Sequence, residues 1–198
     1  MWVFGNGESR KHVDLDRLKG YKIGCNAIMR DHEVDYLVCV DRRMVNEAIK
    51  NNINETTLVY TRKDWYGDYR HLKNVREVPD VPYESVIRAD EPFQWGSGPY
   101  AVLLAAKLSK ERSVSLVGFD LYSDNKLVNN LYKDTQGYDE ASKSAVDPRY
   151  WIHQIGKVFE HFPKVNFTVY RPLDWETPKA WIKSNVEVDK ISNIYYNT

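Results

Sequence analysis

The residues with the clearest chemical potential lie near the start of the sequence, in the stretch Gly5-Asn6-Gly7-Glu8-Ser9-Arg10. An apolar segment runs directly into this turn, and Gly5 and Gly7 would let backbone N–H groups approach an anion closely. The side chains of Asn6 and Ser9 add further hydrogen-bonding groups. Such a turn can hold a phosphate, but a tight exit from a strand explains the same residues. The short motif alone leaves both interpretations open.

Two well-known nucleotide-binding signatures are not met. A dinucleotide fold places a third glycine where this chain has Arg10, and an acidic residue about 20 residues later, at the end of the second strand. That second position reads Gly24-Cys25-Asn26 and holds no carboxylate. The P-loop motif G-x-x-x-x-G-K-[ST] does not occur in the sequence. The sequence therefore disfavours NAD, excludes a P-loop NTPase and leaves another nucleotide ligand open.

Polar residues also follow three later apolar segments. This position matters because ligands of parallel sheets bind beyond the carboxyl ends of the strands. Asn26 can present both an amide and a carbonyl to a base or sugar, although a local turn explains it equally well. Asp41, which two arginines follow, can belong to an anion clamp or can cap a helix. Gly118, which ends the late segment Ser113–Gly118, and Asp120 just after it are further candidates.

The clearest helix of the chain begins at Gly96-Ser97-Gly98-Pro99. Ser97 is the predicted N-cap, and Pro99 falls in the first turn, where its missing N–H costs nothing. The run Tyr100–Leu108 is apolar nearly all round, which predicts a buried helix. The start of this helix, at Ser97 and Gly98, is predicted to join the candidate site.

Metal binding is not predicted. The five histidines show no ligand spacing with one another or with the two cysteines. Asp14-Leu15-Asp16 is similar to the carboxylate pair by which many sugar transferases hold a divalent ion. Because it directly follows the glycine turn, helix capping is the favoured interpretation. Cys25 and Cys39 lie in apolar segments and are predicted to be buried thiols.

Short apolar segments alternate along the chain with helical patterns. This alternation predicts an α/β fold in three layers, with a mostly parallel, Rossmann-like sheet and helices on both faces. The predicted strands are Trp2–Gly5, Tyr21–Cys25, Tyr36–Val40, Thr57–Tyr60, Val75–Val78, Ser113–Gly118 and Asn166–Tyr170. The predicted helices are Met44–Lys50, the buried helix that begins at Ser97, Pro148–Phe162 and a terminal helix near Trp181.

The polar stretch 122–147 interrupts this alternation. It is rich in Asn, Asp, Ser and Tyr, and loops of this length in compact domains are uncommon and often functional. We predict a single domain over residues 1–198 in which this stretch is a lid-like insertion. A disordered surface excursion is the alternative.

The composition is that of a globular protein, with 42% hydrophobic and 28% charged residues. Lys plus Arg (28) equals Asp plus Glu (28), so no overall field attracts nucleic acid or anionic lipid. No apolar run approaches the roughly 20 residues of a membrane span, and no secretory signal is visible. We expect a cytoplasmic protein with no nucleic-acid partner and no membrane span, and an oligomer stays open.

Four of these segments, in this order, resemble motifs of the bacterial lipooligosaccharide sialyltransferases and of related domains of unassigned function and motility-accessory type. Gly5-Asn6-Gly7-Glu8-Ser9 resembles their G-N-G-P-S opening, and Gly24-Cys25-Asn26 resembles their R-C-N or G-C-N strand end. Ser97-Gly98-Pro99-Tyr100 matches S-G-x-Y, and Gly118-Phe119-Asp120-Leu121-Tyr122 matches G-[IF]-D-x-Y. The resemblance covers roughly residues 1–170.

The resemblance implies a nucleotide-sugar fold, with the donor lying across the glycine turn and the start of the buried helix. By position, Asn6, Ser9 and Asn26 would contact the nucleotide or the donor sugar. Ser97 and Gly98 would lie near an anionic group of the donor, and the lid after residue 122 would close over it.

The resemblance also implies catalytic roles. In the family, two lid tyrosines stabilise the departing phosphate and a histidine deprotonates the acceptor, without a metal. Tyr132 and Tyr138 are the best matches for the tyrosines. His153 is the candidate base, although the family position falls near Asp147. For such a displacement, Arg10 or Lys133 is expected to add electrostatic stabilisation of the departing phosphate.

Three functions are consistent with the sequence. The first is a metal-independent, sialyltransferase-like glycosyltransferase that needs no cofactor, uses a CMP- or other nucleotide-activated sugar and acts on a glycan or small acceptor. The second is a Mg²⁺-dependent, pterin diphosphokinase-like transferase in which Asp41 and Asp120 would serve the ion and ATP. The third is a non-catalytic binding module. Glu8, in place of the family proline, puts a negative charge beside the expected anion site and has no role in any of the three.

Overall fold

The computed structural model of the protein describes residues 1–51, 56–123, 125–172 and 175–196. Its centre is one sheet of eight strands: β1 (Trp2–Phe4), β2 (Lys22–Cys25), β3 (Tyr36–Val38), β4 (Leu58–Thr61), β5 (Val75–Glu77), β6 (Ser113–Val117), β7 (Asn166–Arg171) and β8 (Val186–Lys190). The strand order is β5-β4-β3-β2-β1-β6-β7-β8, and all seven described pairings are parallel. The predicted α/β, Rossmann-like architecture is therefore confirmed.

The order of the strands creates a crevice at the centre of the sheet. The chain builds one half outward from β1 to β5 and then returns to place β6 on the other side of β1. From there β7 and β8 extend in the opposite direction. In open α/β sheets, ligands bind at such a reversal, beyond the carboxyl ends of the two central strands. Here the turns at Gly5 and Gly118 follow those two strands.

Helices cover both faces of the sheet. They are α1 (Arg42–Lys50), α2 (Lys63–Tyr69), α3 (Ser97–Leu108) and α4 (Arg149–His161). Because successive strand residues point to opposite faces, β1 contributes to two apolar cores. Val3 packs in the core that holds α3 and α4, whereas Trp2 and Phe4 pack in the core that holds α1 and α2. Within the described ranges, no helix combines the length and apolarity of a membrane span.

The start of α3 differs from the prediction in one respect. The helix is buried nearly all round, and Pro99 lies in its first turn, both as the sequence indicated. The N-cap residue, however, is Gly96, so the prediction of Ser97 as N-cap was wrong. Ser97 is the first helical residue, and its hydroxyl is bonded to groups outside the helix.

Among the described residues, one α-helix and one strand were not predicted. The helix Lys63–Tyr69 lacks a clear apolar period, and Tyr69 is its buried residue. Strand Val186–Lys190 alternates valine with charged residues and pairs with β7 at the edge of the sheet. The terminal helix predicted near Trp181 is only the 3-10 turn Lys179–Trp181, because Trp181 is held in the core between β7 and α4.

The insertion 122–147 lies against the carboxyl edge of the sheet. An isolated antiparallel bridge joins Leu127 to Ser144 and closes its base. Near its middle, the Leu131 amide donates to the carbonyl oxygen of Asn6 at 2.9 Å. The described residues of the stretch thus lie over the turn that follows β1.

Charged side chains also anchor the insertion. Lys133 forms an ion pair with Glu8 at 2.6 Å, which gives a structural role to the acidic residue in the glycine turn. Arg30 donates to Thr135 Oγ1 and to the Gln136 carbonyl oxygen, both at 2.8 Å. The insertion is therefore held from both sides of the β1–β2 strand ends.

Candidate functional site

A cavity of about 420 Å³ opens at the crevice between β1 and β6. The ends of β1, β2, β3 and β6, the start of α3, the insertion and one side of α4 contribute to its wall. Most of the residues that the sequence singled out line it: Gly5, Asn6, Gly7, Asn26, Asp41, Ser97, Gly98, Gly118, Asp120, Tyr122 and Tyr138. Concave sites of this size at a switch point are typical of small-molecule binding.

The glycines of the two central turns are required by a direct backbone contact. Gly5 N donates to Val117 O at 2.8 Å, and Gly7 N donates to Gly118 O at 2.9 Å. A Cβ atom on Gly5 would overlap the Gly118 carbonyl oxygen. Gly118 itself has a φ of +74°, a conformation that favours glycine. The motif therefore reflects the close approach of two strand ends.

The amide groups of the first turn are bonded within the protein. Ser9 N donates to Asp120 Oδ2 at 2.9 Å, and the Ser9 hydroxyl donates to Asp120 Oδ1. The Glu8 amide donates to Asn129 Oδ1 at 2.8 Å. Ser9 thus faces the protein's own carboxylate and does not line the cavity. Burial raises the pKa of Asp120, and the hydrogen bonds from Ser9 partly oppose that rise.

Ser97 joins the ends of β2 and β3 to the start of α3. Its hydroxyl donates to Asn26 Oδ1 at 2.7 Å and accepts from Val40 N at 3.1 Å. Asn26 has a φ of +48°, which asparagine tolerates better than most residues. Since the side-chain oxygen of Asn26 is used in this way, its amide N–H₂ is the group that can serve a ligand.

Asp41 lines the cavity and also caps α1. Its Oδ1 accepts from Arg43 N at 2.9 Å, and its Oδ2 forms an ion pair with Arg43 at 2.9 Å. Burial acts to raise the pKa of Asp41, but the hydrogen bonds from Arg43 lower it, and the net shift is downward. The capping interpretation of Asp41 is confirmed, and the residue borders the site as well.

Tyr138 is the insertion's main contribution to the inner wall. Its hydroxyl oxygen accepts from Asn6 Nδ2 and from Ala27 N, both at 3.3 Å. Both bonds use the oxygen as acceptor, so the O–H proton of Tyr138 stays available to a ligand. Burial raises the pKa of Tyr138, which keeps the phenol protonated and able to donate.

Tyr132 and Arg10 pair with each other outside the cavity. Arg10 is buried, and its Nε donates to Gly5 O at 2.9 Å while its Nη2 donates to the Tyr132 hydroxyl at 3.2 Å. Burial raises the pKa of Tyr132 to about 12. The rings of Tyr132 and Tyr138 lie 5.7 Å apart, so Tyr132 supports the ring that lines the site.

His153 also lies outside the cavity. It projects from α4 toward Asp90, and its Nε2 is 2.7 Å from Asp90 Oδ1, which also accepts from the Tyr83 hydroxyl. Burial acts to raise the pKa of Asp90, whereas hydrogen bonds from Ser85, Tyr83 and His153 lower it, with a net downward shift. The structure therefore does not bring the candidate base to the other predicted site residues.

The charge of the cavity wall is distinctive. Within the described ranges, no lysine, arginine or histidine lines it. Three aspartates do, and each is already bonded: Asp41 to Arg43, Asp120 to Ser9 and Asp139 to Lys143 at 2.6 Å. The described residues hold no group of three or more His, Cys, Asp or Glu side chains that could bind a metal ion. Neutral hydrogen-bonding groups are therefore left to contact a ligand.

Comparisons with protein-family models, curated proteins and solved structures find no match. The resemblance to the sialyltransferases accordingly rests on the motif residues alone.

Sequence reasoning missed several lining residues. Asn129 and Asn130 belong to the insertion, whose polar composition gave no indication of which side chains face inward. Trp151 and Ile155 lie on α4, four positions apart and hence on one face of the helix. The four-residue spacing of Trp151 and Ile155 was the sequence signal that could have identified them.

Cys25 also lines the cavity. It is a free, buried thiol as predicted, and burial raises its pKa to about 12.

Proposed function

We propose that this protein is a metal-independent glycosyltransferase whose donor is a sugar linked to a nucleoside monophosphate, with a CMP-sugar as the favoured donor. The observation on which the proposal depends is the Tyr138 hydroxyl. Tyr138 lines the cavity, and its hydroxyl oxygen accepts from two N–H donors, so its proton is the group left for a ligand. A donor in this position suits the oxygen of a departing phosphate.

The start of α3 supports an anionic group on the donor. The first N–H groups of an α-helix have no partner within the helix, and here they belong to Ser97 and Gly98, which line the cavity. Anions bind favourably at such helix ends. Asn26 adds its amide group beside Ser97. The phosphate or an acidic sugar group would thus be held by neutral donors.

The charge of the cavity favours a donor with a single phosphate. A diphosphate normally requires lysine, arginine or a divalent cation to offset its charge. The described wall has no cationic side chain, and its aspartates are bonded to protein groups. A single phosphate carries less negative charge to be offset, which supports CMP-activated sugars over UDP- or GDP-activated sugars.

The proposed reaction is a displacement at the anomeric carbon. The acceptor hydroxyl oxygen forms the new glycosidic bond and its proton is released to solvent. The bond from the anomeric carbon to the phosphate oxygen breaks, and CMP leaves with the bonding electron pair. Tyr138 would donate a hydrogen bond to the oxygen that gains charge, because electrostatic stabilisation of a leaving group counts most in a water-poor site. His153 is not part of this proposal, because it contacts Asp90.

The alternative transferase receives less support. A pterin diphosphokinase-like reaction would need Asp41 and Asp120 to hold Mg²⁺ and ATP. Asp41 is paired with Arg43 and Asp120 accepts two hydrogen bonds from Ser9, so neither carboxylate is free for an ion. A non-catalytic module would bind the nucleotide without turnover, which distinguishes it from both transferases.

Thermal unfolding with a nucleotide panel tests the proposal. We expect CMP to raise the melting temperature without Mg²⁺, since a ligand at a hundredfold excess over its Kd adds about 2.7 kcal/mol of stability. Tyr138→Phe should weaken CMP binding about tenfold, the loss of roughly one charge-assisted hydrogen bond. The matched control is Tyr150→Phe, because Tyr150 lies on α4, is exposed and is not among the cavity-lining residues.

Each possible result decides between the three functions. A shift produced by ATP only in the presence of Mg²⁺ would overturn the proposal and favour the diphosphokinase-like reaction. CMP binding with no release of CMP from CMP-sugars, with a panel of acceptor sugars present, would favour the non-catalytic module. No shift with any nucleotide would reject all three.

A further inference from the structure

The mouth of the cavity is surrounded by exposed apolar side chains. Tyr122, Val146 and Trp151 line the cavity, and 40%, 57% and 36% of their respective surfaces are exposed. Tyr122 begins the insertion, Val146 lies near its end, and Trp151 lies in the first turn of α4. Exposed apolar groups that converge on one opening are typical of a ligand-binding surface.

Trp151 has a fixed position at this mouth. Its indole lies over Gly96, and a Cβ atom at Gly96 would be 3.2 Å from Trp151 Nε1. Gly96 is the N-cap of α3, and the first two helical residues, Ser97 and Gly98, line the cavity. The indole is therefore next to the place where the anionic part of the donor would lie, and a second substrate that meets the donor must pass close to it.

The opposite side of the mouth is also held in place. The Tyr122 ring packs at 6.1 Å from the ring of Trp175, and the Tyr122 carbonyl oxygen accepts from Asn129 Nδ2 at 2.9 Å. The neighbouring Asn130 uses its Oδ1 to accept from Tyr132 N at 2.9 Å, which leaves its N–H₂ as a donor for a ligand. The mouth thus combines aromatic faces with neutral amide groups.

This combination has the chemistry of a neutral saccharide site. The C–H face of a pyranose ring packs on an indole or phenol face, while its hydroxyl groups bond to amides. An acidic acceptor would add a further negative charge beside the anionic donor, and the described lining has no lysine or arginine to offset it. A purely apolar chain would leave the side-chain N–H₂ of Asn130 without a partner. We propose that the outer part of the cavity is an acceptor subsite for a neutral saccharide, with Trp151 as its platform.

This inference rests on the proposed function, because an acceptor subsite requires a donor site beside it. The test is an array of immobilised oligosaccharides, neutral and acidic, probed with the full chain in the presence of CMP. We expect binding to neutral members, with an affinity at least tenfold lower for Trp151→Ala. The matched control is Tyr150→Ala, which removes the preceding, equally exposed aromatic residue outside the cavity lining and should bind as the wild type does.

Folding of the variants is checked by the melting temperature with and without CMP. Should Trp151→Ala fail to fold, Gly96→Ala tests the same idea, because the added Cβ displaces the indole; it should also weaken binding to neutral saccharides.

Three outcomes would overturn the inference: binding to acidic members alone, equal loss in Trp151→Ala and Tyr150→Ala, or no binding to any member. The CMP shift separates this failure from that of the proposed function. A CMP shift without saccharide binding rejects the subsite alone, whereas the absence of both rejects the subsite and the glycosyltransferase together.

Discussion

The carboxylate of Asp120 accepts hydrogen bonds from both the amide and the hydroxyl of Ser9. This pair joins the loop after β6 to the loop after β1, and it lies directly beside the contact of Gly5 with Gly118. The two central strand ends are therefore fixed to one another by side chains as well as by backbone. The wall of the cavity at this point is a rigid part of the fold.

The first prediction concerns the pH dependence of this pair. Burial raises the pKa of Asp120 above its ordinary value of 3.8. The contribution of this group to wild-type stability is therefore largest below that pH, and it decreases as pH rises through the native pKa. Asp120→Asn removes the titrating group and one acceptor, so its deficit in unfolding free energy should shrink between pH 3.5 and pH 7. Urea unfolding across that range measures it.

Asp41→Asn is the control for the pH experiment. The pKa of Asp41 is lowered, so its contribution is present above 3.8 and is lost as pH falls through the native pKa. The deficit of Asp41→Asn should therefore grow as pH rises, opposite to that of Asp120→Asn. The same trend in both variants would contradict the assignment.

The second prediction concerns the glycine contact. Gly5→Ala forces a Cβ into the Gly118 carbonyl oxygen, and we expect a loss of about 3 kcal/mol or more, as for other severe overpacking. Gly67→Ala is the control, because Gly67 lies in α2 with open space around its Cβ position. It should stabilise the protein by about 0.5–1 kcal/mol. Urea unfolding at pH 7 compares them, and similar effects would refute the close approach.

The third prediction concerns His153. Its substitution by alanine removes one of the hydrogen bonds to the buried Asp90, so stability should fall by about 1–3 kcal/mol. CMP affinity and the rate of CMP release should stay within about twofold of the wild type. His153→Gln can still donate to Asp90 and should recover part of the stability. A large loss of turnover with unchanged stability would instead return His153 to the active site.

The fourth prediction concerns the anchoring of the insertion. Arg30 forms an ion pair with Glu47 at 2.6 Å and donates to Thr135 and Gln136 of the insertion. Arg30→Ala should release that segment and make cleavage by trypsin within residues 122–147 several times faster. The cleavage rate follows the population of the locally opened segment when that segment closes faster than trypsin cuts it. Arg76→Ala, at the far edge of the sheet, should leave the rate unchanged, and equal acceleration in both variants would count against the anchoring role.

The sequence by itself determined the architecture. Apolar segments that alternate with helical patterns gave seven of the strands and the three longest helices to within a few residues, because hydrophobic periodicity is a local property. Gly5 and Gly118 could be selected as site residues because each lies at the end of a predicted strand. Residues that follow strands of a parallel sheet meet at one edge, whatever the details of packing.

Only the tertiary structure decided which of the selected side chains face the cavity. Ser9, Arg10 and Tyr132 lie within a few residues of lining residues, yet they are turned toward Asp120 and toward each other. His153 lies two positions from Trp151 on α4, and two positions on a helix are about 200° apart, so the two face opposite ways. Orientation depends on contacts between residues that are 63 to 122 positions apart in the chain, and no local pattern encodes these.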